Sequence, residues 1–202
     1  MELPAADLSA AKAYHVLTHI VAPRPIAWVT TLNGEVVNAA PFSWFQAICA
    51  EPPLLMIAVA DRDGEPKDTA RNAIATGELV INIATGDQLE TMVATSADLP
   101  PDESELDLSN LKTTPSIAVA PPRIDGCAAH LECRLVEHRR YGDTDGTTVL
   151  IAHVVHVAMR DDLLTERGLL DAGKARLPAR LGGVDYLRVE DVFQVRRDRH
   201  RP

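Results

Sequence analysis

Residues 26–40 read IAWVTTLNGEVVNAA. Ile26 to Leu32 is rich in β-branched and aromatic residues, Asn33-Gly34 follows, and a second extended run fills Glu35 to Ala40. Asn-Gly between two such runs is the strongest short-range hairpin signal, because the central residues of the tight turn take positive φ. The stretch therefore predicts two antiparallel strands. Pro23 and Pro25 keep the chain extended ahead of them and stop any helix there. That helix is expected over residues 8–20, with Ser9 at its cap and Leu8, Ala11 and His15 or Val16 along one face.

Further along, Phe42 to Ile48 reads as another extended piece. Leu54 to Ala60 is an almost unbroken apolar run after Pro52-Pro53, which predicts a strand covered on both faces. A turn and a short helix follow, starting at Lys67-Asp68-Thr69 and ending at Gly77. Glu78 to Ala84 is the next strand. Asp87 to Ala97 reads as a second helix, capped by Asp87, with Leu89, Met92 and Val93 turned inward. Residues 98–126 form a proline-rich surface excursion with one helical turn near Ser104 to Leu108, its acids a solvated cluster. Two long strands, His130 to Tyr141 and Thr147 to Met159, are joined by Asp-Thr-Asp-Gly. A polar connection holding Arg-Leu-Gly-Gly at 180–183 leads to a last strand, Asp185 to Val195. About seven strands with hairpin signals and no βα alternation predict a mainly β fold, an antiparallel β-barrel with short helices in one domain spanning 1–202.

Composition narrows the function classes. The 202 residues carry a net charge of -9, which argues against nucleic-acid binding. No apolar run approaches the roughly 20 residues of a membrane-spanning helix. The amino terminus carries acids where a signal peptide has positive charge, so a cytoplasmic location is expected. Cys49, Cys127 and Cys133 form no CxxC pair and read as free, buried or half-buried thiols. GxGxxG after a strand, GxxxxGK[ST], HExxH and GxSxG are all absent, so a nicotinamide would not sit in a Rossmann pocket.

Three stretches carry chemistry. Arg24 stands between two prolines beside a buried strand. Asn38 to Phe45 (NAAPFSWF) combines small residues, which let a flat ligand approach the backbone, with Asn38 and Ser43 as hydrogen-bonding groups. Lys67-Asp68-Thr69 opens a helix, where free N–H groups and the helix dipole favour an anion. Together they describe a planar polar ring site beside a phosphate site.

In order and spacing, PRPIAWVTT (23–31), NAAPFSWF (38–45), EPPLLMIAV (51–59), KDTARNAIATGELVINI (67–83), HLECRL (130–135) and RLGGVDY (180–186) resemble the flavin reductase-like proteins, near the flavoredoxin branch. The resemblance covers about residues 14–190. It implies an FMN-binding split β-barrel of Greek-key type, a homodimer, and FMN at or near the subunit interface. Carried onto this chain, it implies that Thr30 and Thr31 lie on the strand under the flavin, one of them in side-chain contact. Asn38, Ala39, Ala40 and Ser43 would pass along the isoalloxazine, with backbone N–H groups near its polar edge. Lys67, Asp68 and Thr69 would hold the phosphate, Arg24 would reach the phosphate or ring edge, and Arg180 is a weaker candidate. The implied activity is NAD(P)H-dependent reduction of FMN, with a monooxygenase or another redox protein as partner and no side chain required as acid or base.

The chain departs from the family pattern at Ile151-Ala152-His153-Val154, where many relatives carry Ile-Gly-Glu-Val. It departs again at Gly146-Thr147, where the shorter reductases often have Asp-His. Both bear on the nicotinamide site. An FMN electron carrier without its own NAD(P)H site is the alternative. A pyridoxamine-phosphate oxidase type fits the PRP and KDT stretches less well, and a barrel with a vestigial flavin site remains a fourth reading. The basic tail, 196–202, reads as a loose chain end or as a dimer arm.

Overall fold

A computed structural model describes residues 2–143 and 145–195. Helix α1 (Ala10–Ile20) starts where Ser9 accepts a hydrogen bond from Lys12 N–H. After β1 (Arg24–Pro25) come β2 (Ala27–Asn33), β3 (Val36–Phe42), β4 (Phe45–Ala50) and β5 (Pro53–Ala60). Helix α2 (Asp68–Thr76) ends at Gly77, whose φ of 74° lets the backbone turn left-handed into β6 (Glu78–Ile83). Helices α3 (Leu89–Ala94) and α4 (Glu105–Leu108) and the short strands β7 (Thr113–Thr114) and β8 (Arg123–Ile124) precede the long pair β9 (Ala129–Tyr141) and β10 (Thr147–Met159). Helix α5 (Ala172–Ala175), β11 (Pro178–Arg180) and β12 (Tyr186–Arg188) complete the described chain.

Seven strands form one antiparallel sheet in the order β3-β2-β6-β9-β10-β5-β4. Its two edge strands, β3 and β4, are joined only by Ser43 and Trp44. A sheet whose opposite edges are that close along the chain must curl, so the architecture is a split barrel, the mainly β fold expected. The edges are not hydrogen-bonded to one another. Neighbours out of chain order, β2 beside β6 and β10 beside β5, supply the Greek-key crossovers.

Both faces of β2 are covered, which explains five consecutive buried residues from Ala27 to Thr31. Ala27 and Val29 join Ile57, Leu79, Ile81 and Leu150 in one core, while Ile26 and Trp28 join Leu89, Met92 and Ile124 in the other. Trp28 is fully buried, and its indole N–H donates to Thr95 Oγ1 at 2.9 Å. Removing such a ring costs about 3–5 kcal/mol.

Several boundaries differ from the expectation. Asn33 pairs with Val36, so the hairpin turn is Gly34-Glu35 and only Gly34 takes positive φ. The expected helix over 87–97 is shorter. Thr85, not Asp87, caps it through a reciprocal pair with Gln88, and a single 3-10 turn precedes α3. Residues 42–48 are not one extended piece, because the chain turns a corner at Ser43-Trp44 between the two sheet edges. In β5 only Leu55 and Ile57 to Val59 are buried, Leu54 and Met56 are half-buried and Ala60 is exposed, so the run is not covered on both faces throughout. The last strand is three residues long, and Val192, Phe193 and Val195 lie exposed after it. Cys49 is exposed, whereas Cys127 and Cys133 are buried. The basic tail, 196–202, and Thr144 of the β9–β10 turn lie outside the described residues.

Candidate functional site

Helix α2 begins without a side-chain cap. Lys67 occupies the cap position in extended conformation and makes no capping hydrogen bond. Among the described residues, the N–H groups of Asp68 and Thr69 have no protein acceptor. A sequence with lysine where serine or aspartate would cap leaves those donors for an anion. The Lys67 ammonium is half-buried and forms no ion pair among the described residues. Burial lowers its pKa, neighbouring Arg62 lowers it further, and Asp98 opposes both. Arg62 itself is paired with Asp98.

A buried polar network ties this helix end to β3. Asn38 Nδ2 donates to Glu105 Oε1 and Ala39 N–H to Glu105 Oε2, both at 2.9 Å. A carboxylate there can only accept, so the Asn38 amide is oriented with Oδ1 facing the hydroxyls of Thr69 (2.8 Å) and Thr31 (3.3 Å). Thr69 therefore directs its hydroxyl proton inward. Asn72 Nδ2 completes the set on Thr31 Oγ1 at 3.2 Å. Glu105 is 6% exposed, and burial pushes its pKa up, against the hydrogen bond from Ala39. Ser104 Oγ donates to the Val37 carbonyl at 2.6 Å. The 104–105 segment thus straps the outer edge of β3, and Pro41, which has no N–H, continues that edge.

Asn38, Ala40, Pro41, Arg62, Lys67, Asp68, Thr69, Ser96 and Glu105 line one cleft. A second cleft shares Pro41 and Ser96 with it and is lined by Tyr14, Ile26, Ser43, Met92, Arg180 and Tyr186. The two make one groove, with the Lys67 ammonium at one end and, at the other, the rings of Tyr14 and Tyr186 among the polar side chains of Ser43, Ser96 and Arg180. Ser43 accepts from Arg24 Nε at 3.4 Å, which leaves its own proton free to turn elsewhere.

The flavin reductase like domain model matches residues 21–177. The chain belongs to this family. The flavin reductase-like chain is 38% identical over 192 residues to the protein YwrF of Bacillus subtilis, covering 93% of this chain and 94% of that one. Its fold is similar to nitrilotriacetate monooxygenase component B from Bacillus cereus, at TM-score 0.91 and 32% identity over 96% of this chain and 98% of that one. It is also similar to the 2-nitrobenzoate 2-nitroreductase NbaA of Pseudomonas fluorescens, at TM-score 0.89 and 29% identity over 100% of this chain and 98% of that one.

Within the flavin reductase-like fold, the residues singled out from sequence divide into three groups. Asn38, Ala40, Lys67, Asp68 and Thr69 meet in the first cleft and Ser43 lines the second. Thr30, Thr31 and Ala39 lie fully buried beneath them. Thr30 Oγ1 donates to the Pro122 carbonyl at 2.6 Å. Arg24 sits beyond Ser43, its guanidinium donating to the carbonyls of Thr18, Val21 and Leu181. Two of these carbonyls close the C-terminal end of α1, where the helix dipole favours a cation. Arg180 lines the second cleft. The Ala39 N–H, expected near a ring edge, is instead held by Glu105. Sequence reading placed Glu105 in a solvated charge cluster. The helical turn after Ser104 was legible, but nothing local marked its glutamate as buried. Arg62, Ser96, Tyr14 and Tyr186 were also not singled out.

Proposed function

We propose that the groove binds FMN and that the chain is an NAD(P)H-dependent oxidoreductase that reduces it. The observation that carries this reading is the uncapped start of α2, with a half-buried Lys67 unpaired among the described residues, opening into a groove flanked further on by the Tyr14 and Tyr186 rings and Arg180. The phosphate would accept from the Asp68 and Thr69 N–H groups and from Lys67. The ring would lie toward Pro41, Ile26 and Met92, with Ser43 and Arg180 at its margin. When bound, FMN supplies the redox chemistry, accepting a hydride from a nicotinamide and passing electrons on.

The protein supplies placement. Glu105 and Asn38 lock the start of α2 against β3, so the anion donors are held before ligand arrives. The groove end near Ser43 keeps water from one side of a planar ring through Ile26, Met92 and Tyr186. No side chain is needed as general acid or base. In a chain of net charge -9, the local positive field at Lys67 matters for drawing in an anionic cofactor.

Similarity to a monooxygenase component B supports delivery of reduced flavin to a monooxygenase partner. We propose a homodimer as well. Tyr14, Leu17, Ile20, Val21, Trp44 and Ile48 are exposed together around α1 and β4, an apolar surface that a second copy would cover. Purified protein titrated with FMN should quench flavin fluorescence, and the complex should consume NADH or NADPH without added partner. FMN binding with no consumption of either donor would favour the electron-carrier alternative. No quenching would remove the reading.

A further inference from the structure

Arg24 and Arg180 stand directly opposite one another across the β1–β11 pair. Like charges in that register oppose strand pairing. Neither arginine has a carboxylate partner among the described residues. In a protein with nine more acids than bases, two facing guanidinium groups without an acid are a cost that packing does not explain.

Their surroundings differ. Arg24 is 7% exposed and spends its N–H groups on the carbonyls of Thr18, Val21 and Leu181. Arg180 lies over the Tyr186 ring, 4.3 Å from its centroid, with hydrogen bonds to Tyr186 Oη and the Gly183 carbonyl. Two protein acceptors leave three of its five N–H groups open. The 181–183 turn that follows it is tied to α1 through Arg24, which donates to the Leu181 carbonyl as well as to those of Thr18 and Val21. Arg180 is thus a held cation in the aromatic end of the groove.

The backbone of β3 offers little competition there. On its outer edge the Ala39 N–H is taken by Glu105, and Pro41 has none. The structure assigns to Arg180 the role of offsetting negative charge on the reduced flavin ring. This rests on the FMN reading above. Hydride transfer from the nicotinamide adds two electrons and one proton to a neutral ring, leaving one negative charge, and the oxidised nicotinamide departs as a cation. A fixed guanidinium favours the product of that step over its reactant.

The test compares the affinities of wild type, Arg180→Gln and Arg180→Lys for oxidised FMN, by fluorescence, with the midpoint potential of the bound flavin, by anaerobic dye equilibration. Arg180→Gln should bind oxidised FMN within about threefold of wild type. It should bind reduced FMN about tenfold more weakly, a potential about 30 mV lower for a two-electron couple. Arg180→Lys should recover most of the shift. Tyr186→Phe, which keeps the ring and loses the hydroxyl, should move the potential less than Arg180→Gln. An unchanged potential in Arg180→Gln overturns the assignment, as does equal weakening of both redox forms. So does an unchanged potential with a raised nicotinamide dissociation constant, which would make Arg180 part of the donor site. Failure of wild type to take up FMN would instead remove the proposed function.

Discussion

Lys67 is poorly suited to cap a helix and well suited to hold an anion. The account therefore expects Lys67→Ala to weaken FMN binding by about 1–2 kcal/mol, roughly five- to thirtyfold. Riboflavin, which lacks the phosphate, should bind both forms alike in the same fluorescence titration. Equal losses for both ligands would move the phosphate elsewhere. Glu105 makes a second prediction. Its folded pKa is raised above the unfolded value by burial, so folding binds a proton there. Its contribution is most favourable below about pH 4 and declines as pH rises through the folded pKa. The stability of Glu105→Gln relative to wild type should therefore rise with pH across that window in urea melts; a constant difference would contradict it. Lys67-Asp68-Thr69 was legible in sequence because its donors are contiguous and local rules govern a helix start. Glu105 was not, because its partners lie 67 and 66 residues away, at Asn38 and Ala39. Only the curl of the sheet brings them together.

At the scale of elements, β9 does more than fill the sheet. Its Glu132 is fully buried and accepts from the N–H groups of Ile117 and Ala118. Its His130 Nδ1 lies 2.9 Å from Asn82 Oδ1, which also accepts from Ile124 N–H. Glu132 and Asn82 thus anchor residues 111–125 to the sheet, and His130 buttresses Asn82. Glu132→Ala should cost about 3 kcal/mol, because two backbone donors lose a buried charged acceptor. Limited proteolysis should then cut within 111–125, where wild type resists. For His130, burial lowers the pKa to about 4, with Arg123 adding to the effect. The neutral ring's contribution is full above pH 6.5 and is lost as pH falls toward 4. His130→Gln should remove on the order of 2 kcal/mol of that acid sensitivity, discounted for partial exposure. Strands β2, β3, β6, β9 and β10 were readable from period and turn chemistry. The α3 start carried a local signal as well, the capping box of Thr85 with Gln88, but Asp87 was the competing cap candidate two residues on. The β12 end was not readable, because the pairing with β11 stops at Arg188.

For the whole molecule, the curled sheet sets the two edge strands beside each other, and the groove forms where β3, α2, α3 and β11 converge. No helix among the described residues is long and apolar enough to cross a membrane. The exposed apolar surface around α1 and β4 predicts a dimer by light scattering at micromolar concentration; a monomer there would leave that surface unexplained. The fold class was available from sequence because hairpins and strand lengths are local properties. The convergence of Arg180 with Tyr14 and Ser43 was not, because it depends on where distant turns come to rest. The central claim is that this groove holds FMN and accepts a hydride from a nicotinamide. Its most direct test is an anaerobic absorbance titration of FMN-loaded protein with NADH and then NADPH. The account predicts that one donor bleaches the oxidised flavin band stoichiometrically. A band that both donors leave intact while dithionite bleaches it, or a protein that retains no flavin, would contradict it.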